Sequence, residues 1–463
     1  MTLAVPFLGI AVLLAIAVVL SADRRAIDLR TVGGALALQA ALGALALYVP
    51  AGQRVLRWVS TAVQTVMDSA IAGTGFLFGG LVGDAIDEGS LGFIFAFEVL
   101  PLIIFFSALI AVLYHWGVMP WLIRIIGGAL QRLLGTSRTE SLSATANIFV
   151  GLTEAPLAIK PFVAGMTTSE LFAVMVGGLA SVAGSTLAGY AALGVELDYL
   201  LAAAFMAAPG GLLMAKIMQP ETGFPVDELE APGHAGGSDA GTAQEDARPS
   251  PAAGWAAGGA GAPLPRNVSG SPPHVALRAG GDPAEPGEPK PVNVIDAAAT
   301  GASHGLVLAA NVGAMLLAFI ALIALANVLL GAVGGSIGLD GLTFQAILGW
   351  LFAPVAFLLG VPWGEAATVG GLFGQKLVLN EFVAFVNLVG ATEPLSERAR
   401  AITTFALCGF ANFGSIAILL GGLGGMAPSR RSDIAGMGIR AVVAASLANL
   451  MSAALAGVFL GLG

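Results

Sequence analysis

The chain has 463 residues, of which 57% are hydrophobic and only 11% are charged, and its mean hydropathy is +0.87. Soluble domains carry roughly 25% charged residues, so this composition excludes an ordinary soluble protein and predicts an all-α integral membrane protein. The net charge of −9 says little about partners, because much of the acid lies in one polar insert. The single cysteine, Cys408, excludes an internal disulfide and a multi-cysteine metal site.

The first part of the chain contains three apolar runs and two mixed stretches. The runs at 2–21, 32–50 and 91–114 are about as long as a membrane-spanning helix, which needs ~20 residues. The first run has no basic region ahead of it, so we predict a membrane helix and not a cleaved signal peptide. Acidic residues interrupt 51–90 and arginines interrupt 119–135, so we expect both stretches to lie at or near the interface.

The next segment, 139–166, is apolar but broken by Gly151, Pro156, Lys160 and Pro161. Non-helical backbone at membrane depth is tolerated only where protein or a cavity surrounds it, so this segment is typical of a re-entrant hairpin. Spans are predicted to follow it at 168–193 and 198–218.

Residues 219–293 differ in composition from the rest of the chain. They are rich in proline, glycine, alanine, serine and acidic residues and show no apolar periodicity, which predicts a disordered loop. We interpret it as a tolerated insertion, with a regulatory segment as the alternative.

The second half repeats the pattern of the first. A short helix from 294 and a span at 304–331 precede a second interrupted segment, 341–390, which predicts a second hairpin. Spans at 398–422 and 433–461 complete a prediction of about eight transmembrane helices and two re-entrant hairpins.

Basic residues predict the orientation. With eight spans, three arginine clusters fall on one side of the membrane, at 24–30, at 124–138 and at 430–431. The positive-inside rule makes that side cytoplasmic, which predicts outside termini and a cytoplasmic 219–293 loop. Four arginines fall on the outer side, namely Arg54, Arg57, Arg398 and Arg400, so the excess of basic residues on the cytoplasmic side is modest.

Each hairpin segment carries an acidic residue within its apolar stretch, Glu154 in the first and Glu381 in the second. A charge at bilayer depth costs at least ~2.5–3.5 kcal/mol, so each is a functional candidate. About 30 residues after each acid comes a small, polar stretch, at 180–185 and at 409–415, that can unwind and offer backbone carbonyls. This arrangement predicts a transporter built from repeats, with its site between them.

At these residues the chain resembles the concentrative nucleoside transporters. The matching stretches are 147–161, 166–189, 376–385, 406–415 and 421–438, and the similarity covers most of the chain outside the insert. The resemblance implies a homotrimer whose protomers each hold a scaffold and an inverted-repeat transport domain that moves like an elevator. It also implies a nucleoside substrate and a coupling cation, without a cofactor, enzymatic activity or nucleic-acid partner.

The resemblance carries site residues onto this chain. It implies that Thr153 and Glu154 contact the nucleobase and that Glu381, Asn412 and Ser415 hold the ribose, with Phe410 nearby. It also implies a sodium site formed by the side chains of Asn147 and Ser181 and the carbonyls of Val150 and Val182. Independent chemistry agrees, because a carboxylate accepts from ribose hydroxyls and a hard cation such as sodium prefers oxygen ligands.

One site position departs from the family. Where relatives carry glutamine before the Thr-Glu pair, this chain has Leu152, which predicts a weaker or altered base preference. The intact Asn147 and Ser181 pair favours sodium coupling, but a proton-coupled carrier using Glu154 or Glu381 stays open. A passive channel or a membrane enzyme stays open behind it.

The predicted organisation divides the chain into six parts. They are scaffold helices (1–117), an interfacial helix (118–137), transport repeat one (138–218), the insert (219–293), an interfacial helix with a scaffold span (294–335) and transport repeat two (336–463). We expect a multi-pass protein of a prokaryotic plasma (inner) membrane.

Overall fold

The computed structural model describes residues 4–81, 94–152, 154–223, 291–339, 341–391 and 395–462, and all regular structure in these ranges is helical. The first helices are α1 (Ala4–Val19), α2 (Leu29–Leu47), α3 (Pro50–Phe78), α4 (Phe95–Glu98), α5 (Leu100–His115) and α6 (Val118–Leu134). Next come α7 (Arg138–Ala146), α8 (Lys160–Val163), α9 (Thr168–Ala180), α10 (Gly184–Ala192) and α11 (Leu197–Met218). The second half contains α12 (Val294–Ser336), α13 (Phe344–Leu358), α14 (Trp363–Val378), α15 (Glu381–Val389), α16 (Glu397–Leu407), α17 (Ser415–Met426) and α18 (Arg431–Phe459). Thr153 and most of the predicted disordered insert lie outside the described residues.

Six helical segments among the described residues are long and apolar enough to cross a bilayer. They are Leu29–Leu47, Phe95–His115, Thr168–Ala192, Leu197–Met218, Val294–Ser336 and Pro428–Phe459, and the pair α13 and α14, bent by 116°, raises the number to seven if it counts as one span. Two other predicted spans differ from a single long helix. The first, 2–21, appears as α1 with only 16 residues, and the predicted span 398–422 is divided into α16 and α17.

Two boundary predictions were wrong. The second hairpin was expected over 341–390, but α13 is a separate helix and only α14 and α15 form the hairpin. A short helix from 294 and a separate span at 304–331 were expected, but both lie in the continuous 43-residue helix α12. The glycines of α12 do not break it. Gly301 and Gly305 instead allow close packing against α5, since a Cβ built on either would lie within 3 Å of α5 atoms. At 1.5 Å per residue α12 is about 64 Å long, roughly twice the hydrocarbon thickness.

The helices differ sharply in burial. The spans Thr168–Ala192, Leu197–Met218 and Pro428–Phe459 are about nine-tenths buried within the protein. The spans Leu29–Leu47, Phe95–His115 and Val294–Ser336 bury only 11–22% of their apolar windows and present apolar side chains outward. The fold therefore has an interior group of helices and a peripheral group whose apolar faces suit lipid or another subunit.

The two halves share an order of elements. Helix α6, a hairpin ending in α8, the broken pair α9 and α10, and the long helix α11 follow one another in the first half. Helix α13, a hairpin of α14 and α15, the broken pair α16 and α17, and α18 follow in the same order in the second. The sequence predicted this correspondence from the two acids and the small polar stretches.

Local chemistry sets the first hairpin's position. Ser137 and Glu140 form a capping box at the start of α7, and Thr167 and Glu170 form another at the start of α9. Each box satisfies backbone N–H groups that a helix N-terminus leaves free. Glu140 is buried and pairs with Lys216 at the end of α11, with 2.5 Å between Nζ and Oε1, so the base of the hairpin is tied to α11.

Several chain ends meet at one face of the protein. The backbone N–H of Ala22, after α1, donates to the Met218 carbonyl at 2.9 Å, and Arg440 of α18 donates to the same carbonyl at 2.9 Å. Arg430 donates to the carbonyl of Met166, just before α9, at 2.5 Å. Two of the three arginine clusters that indicated the cytoplasmic side, at 24–30 and 430–431, border these contacts.

Candidate functional site

Glu381 stands at the first position of α15, where the second hairpin turns. The Asn380 side chain caps this helix by accepting from the Val383 N–H at 2.9 Å. The Glu381 side chain is buried, with only 4% of the residue exposed. The positive end of a helix dipole favours a carboxylate at this position, so the fold offsets part of the cost of burying it.

Two donors approach the Glu381 carboxylate from the two broken helices. Tyr190 of α10 donates its hydroxyl to Oε1 at 3.0 Å, and Asn412, between α16 and α17, donates its amide to Oε2 at 3.3 Å. Asn412 in turn accepts from the backbone N–H and the hydroxyl of Ser415, at 2.9 and 3.1 Å. The structure thus brings the predicted Glu381, Asn412 and Ser415 into one network.

Tyr190 is the residue of this network that sequence reasoning missed. Its ring packs against Phe382 and Phe385, with centroid separations of 4.7 and 4.4 Å, and it is fully buried. The available signal was a lone tyrosine directly after a stretch of small residues, in a chain with only four tyrosines. A hydroxyl inside an apolar span needs a partner, which could have pointed to a neighbouring acid.

In the first hairpin, the Glu154 carboxylate accepts a hydrogen bond from the backbone N–H of Gly151 at 2.7 Å, so it stabilises the turn between these two residues. Leu152 is buried against α9, because a Cβ built on Gly178 would lie 3.1 Å from the Leu152 Cβ. The hairpin also meets the first helix break directly, since Gly184 donates its N–H to the Phe149 carbonyl at 3.1 Å.

The two helix breaks touch each other. Helix α9 is followed by Ser181, whose backbone is extended, and α16 is followed by Cys408. Phe410 donates its backbone N–H to the Ser181 carbonyl at 3.2 Å, while its side chain is half-buried. The predicted ion residue Ser181 and the predicted substrate residue Phe410 are therefore adjacent.

The predicted cation ligands provide buried oxygen atoms. Asn147 caps the end of α7 and donates its amide to the Ser143 carbonyl at 2.9 Å, while its Oδ1 is buried and receives no hydrogen bond from the described residues. That oxygen faces the last turn of α9, because a Cβ built on Gly178 would lie 3.7 Å from it. Ser181 donates its proton to the Gly177 carbonyl at 2.9 Å, which leaves hydroxyl lone pairs free.

This neutral set of amide, hydroxyl and carbonyl oxygens suits a hard monovalent cation. Val150 and Val182, whose carbonyls the prediction uses, are both buried beside the same hairpin and break. In the described ranges no three or more His, Cys, Asp or Glu side chains gather as they would around a transition metal. An unpartnered buried oxygen is costly unless a ligand satisfies it, so the residues present fit a sodium ion.

Family comparisons agree with this geometry over nearly the whole chain. A family model described as "Na+ dependent nucleoside transporter C-terminus" matches residues 199–457, and the corresponding N-terminal model matches 8–81. A model described as "Nucleoside recognition" matches 96–196, which includes the first hairpin and α9. The chain belongs to the sodium-dependent nucleoside transporter family.

Relatives of this nucleoside transporter support the assignment. The "Nucleoside permease NupC" of Helicobacter pylori is 46% identical over 98% of this chain and 97% of its own length. The structure of the transporter CNTnw in an inward-facing, substrate-bound state is 51% identical, covers 100% of this chain and 99% of its own, and superposes with a TM-score of 0.84. A double variant of CNTnw in an outward-facing state has the same identity and coverage and a TM-score of 0.86.

The family membership settles the class of protein. This nucleoside transporter is a multi-pass, all-helical membrane protein, and its relatives are transporters and not enzymes. The prediction of a transporter with two hairpins on a helical membrane fold is confirmed, as is the resemblance on which it drew.

Proposed function

We propose that this protein is a sodium-coupled symporter that imports nucleosides across the plasma membrane. The observation that carries the proposal is the buried Glu381–Asn412–Ser415 network at the tip of the second hairpin. A ribose diol offers two hydroxyl donors, and a carboxylate has about four lone-pair sites, of which Tyr190 and Asn412 use two. Glu381 therefore keeps acceptor capacity for the sugar.

The proposed site has a sugar side and a base side. Glu381, Asn412 and Ser415 hold the ribose, while Glu154 and Thr153 of the first hairpin reach the nucleobase with Leu152 and Phe410 beside them. Contact between the two breaks, through Phe410 and Ser181, supports the idea that both hairpins serve one substrate.

Sodium binds Asn147 and Ser181 by their side chains and Val150 and Val182 by their carbonyls in this proposal. The buried, unpartnered Oδ1 of Asn147 supports a cation site over proton coupling, because a proton carrier has no need of a neutral oxygen set. One charge moving through 100 mV supplies ~2.3 kcal/mol, which concentrates a neutral nucleoside more than tenfold.

The difference in burial supports a division into two moving parts. The nearly buried helices α9, α11 and α18, with both hairpins, form the transport domain, and the exposed helices α2, α5 and α12 belong to the scaffold. The wide apolar faces of the scaffold suit lipid and two further copies of the chain, so we propose a homotrimer. An elevator motion of the transport domain then carries the site across the membrane, with the arginine-rich face and the 219–293 insert in the cytoplasm.

Uptake of labelled uridine into proteoliposomes tests this function. We expect accumulation above equilibrium when an inward sodium gradient is imposed, and none when sodium is replaced by choline. Accumulation under a proton gradient alone would replace sodium by protons as the coupling ion. Entry that never exceeds equilibrium indicates a channel, and no uridine entry under either gradient removes nucleoside transport.

Leu152→Gln is expected to change which nucleosides are preferred. An unpaired buried base edge costs ~1–3 kcal/mol, so restoring an amide near the base should shift relative uptake among uridine, cytidine and adenosine by about 5–150-fold. Competition of unlabelled nucleosides with labelled uridine measures the shift. Leu157→Gln, in the same hairpin, is the matched control and should leave the ranking as it is. An unchanged ranking in Leu152→Gln would remove the base-side role of this position.

A further inference from the structure

At each helix break, a backbone carbonyl at the end of the preceding helix accepts a hydrogen bond from the same side chain. Asn449 of α18 is buried, and its amide nitrogen donates to the Ala180 carbonyl at 2.7 Å and to the Cys408 carbonyl at 2.9 Å. Ala180 is the last residue of α9, and Cys408 follows the last residue of α16. The last carbonyls of a helix have no partner within it, so Asn449 completes both interrupted helices at once.

A buried lysine fixes the orientation of this amide. Lys376 of α14 has no exposed surface, and its ammonium donates to the Asn449 Oδ1 at 2.7 Å and to the Ala406 carbonyl at 2.9 Å. An ammonium has only donors, so the amide must turn its oxygen to Lys376 and both N–H bonds to the two carbonyls. The positive charge also lies where two helices end, which is the favourable position for a cation.

The backbone at this junction leaves no room for an alternative. A Cβ built on Gly409 would lie 2.7 Å from the Ala180 carbonyl oxygen, so only glycine fits between the breaks. Phe410, the residue after Gly409, donates its backbone N–H to the carbonyl of Ser181, the residue after Ala180. The two breaks are therefore in direct contact through backbone and side-chain groups.

The junction lies between the two proposed binding sites. Ser181 and Val182, which supply two of the proposed sodium ligands, are the next two residues after Ala180. On the nucleoside side, Phe410 and Asn412 lie two and four residues after Cys408. We infer that Asn449, oriented by Lys376, is the positioning residue that couples sodium binding to nucleoside binding. This inference rests on the proposed sodium-coupled function and adds to it the groups through which the two ligands communicate.

Coupling is measurable as a factor between two affinities. The dissociation constant of labelled uridine is measured on purified protein in choline and at saturating sodium, and their ratio is the coupling factor, typically about 5–150 for coupled sites. Asn449→Ala removes both donors, so we expect the factor to fall to about 1–2 while uridine still binds at high concentration. Linkage requires the same loss when sodium affinity is measured with and without uridine, which serves as an internal check.

The control lies one turn away on the same helix. Ser446 is buried on α18, and its hydroxyl makes no hydrogen bond with the described residues, so Ser446→Ala should retain the wild-type factor. Asn449→Ser keeps one donor and should give an intermediate factor, and it carries the test if Asn449→Ala does not fold. If either Asn449 variant keeps the coupling factor of the wild type, the inference about Asn449 is overturned, while the proposed transport function stands. Wild-type protein that binds uridine with no effect of sodium contradicts the ion assignment as well.

Discussion

Glu381→Gln is expected to reduce nucleoside uptake by about 100-fold or more. The substitution keeps the size of the side chain but removes the charge that strengthens its hydrogen bonds to hydroxyl donors. Hydrogen bonds to charged groups contribute about 1.5–3 kcal/mol each, so losing two of them costs ~10²–10⁴ in affinity. Initial rates of labelled-uridine uptake in proteoliposomes, at equal protein incorporation, measure the loss.

Two variants bracket this result. Glu98→Gln changes a half-buried acid of α4 that has no place in the Glu381 network, so uptake should stay within about twofold of the wild type. Tyr190→Phe removes one donor to the Glu381 carboxylate but retains the ring packed on Phe382, so an intermediate loss of roughly tenfold is expected. Uptake by Glu381→Gln equal to that of Glu98→Gln would contradict the role of Glu381 as sugar anchor.

Lys216→Met is expected to destabilise the protein by about 3–5 kcal/mol. Lys216 pairs with Glu140 at 2.5 Å, donates to the Ser169 hydroxyl at 3.0 Å and lies 3.6 Å from Glu221. Methionine fills similar space without charge, so Glu140 is left buried and unpaired beneath the first hairpin, with 1% of its side chain exposed. Thermal unfolding of the purified protein in detergent checks this prediction.

A double-variant cycle separates the ion pair from simple packing. Adding Glu140→Gln to Lys216→Met removes the stranded charge, so the double variant should lose less stability than the two single losses added together. Arg124→Met, an exposed cation of α6, should shift the unfolding temperature very little. Additive losses in the cycle would show that the two side chains do not act as a pair.

Much of the membrane architecture was predictable because the bilayer imposes a simple rule. Apolar runs of about 20 residues must be helices, and interrupted runs must be enclosed by protein, so the spans and the second hairpin followed from hydropathy, glycine and proline. The rule is weakest at boundaries, and it divided α12 into two elements. Hydropathy alone cannot tell where a long helix ends. In α12, residues 301 and 305 pack on α5 within one continuous helix, at the place where two elements were predicted.

The candidate site was predictable where polarity was out of place. Glu154 and Glu381 were noticed because a buried charge is expensive, and Asn412 and Ser415 came from the family resemblance. Tyr190, Lys376 and Asn449 required the structure in order to be understood. Each can sit in a membrane helix for many structural reasons, and only the position of a partner distant in sequence distinguishes between them.

The sequence by itself determined the class of protein, the repeated order of elements and the two acids, because these depend on local composition and on the cost of burying charge. The tertiary structure alone decided which groups meet. Tyr190 and Glu381 are 191 residues apart, and Asn449 joins carbonyls 269 and 41 residues away. Such contacts depend on how the helices pack around two breaks, and hydropathy contains no information about the partner that a polar group will find.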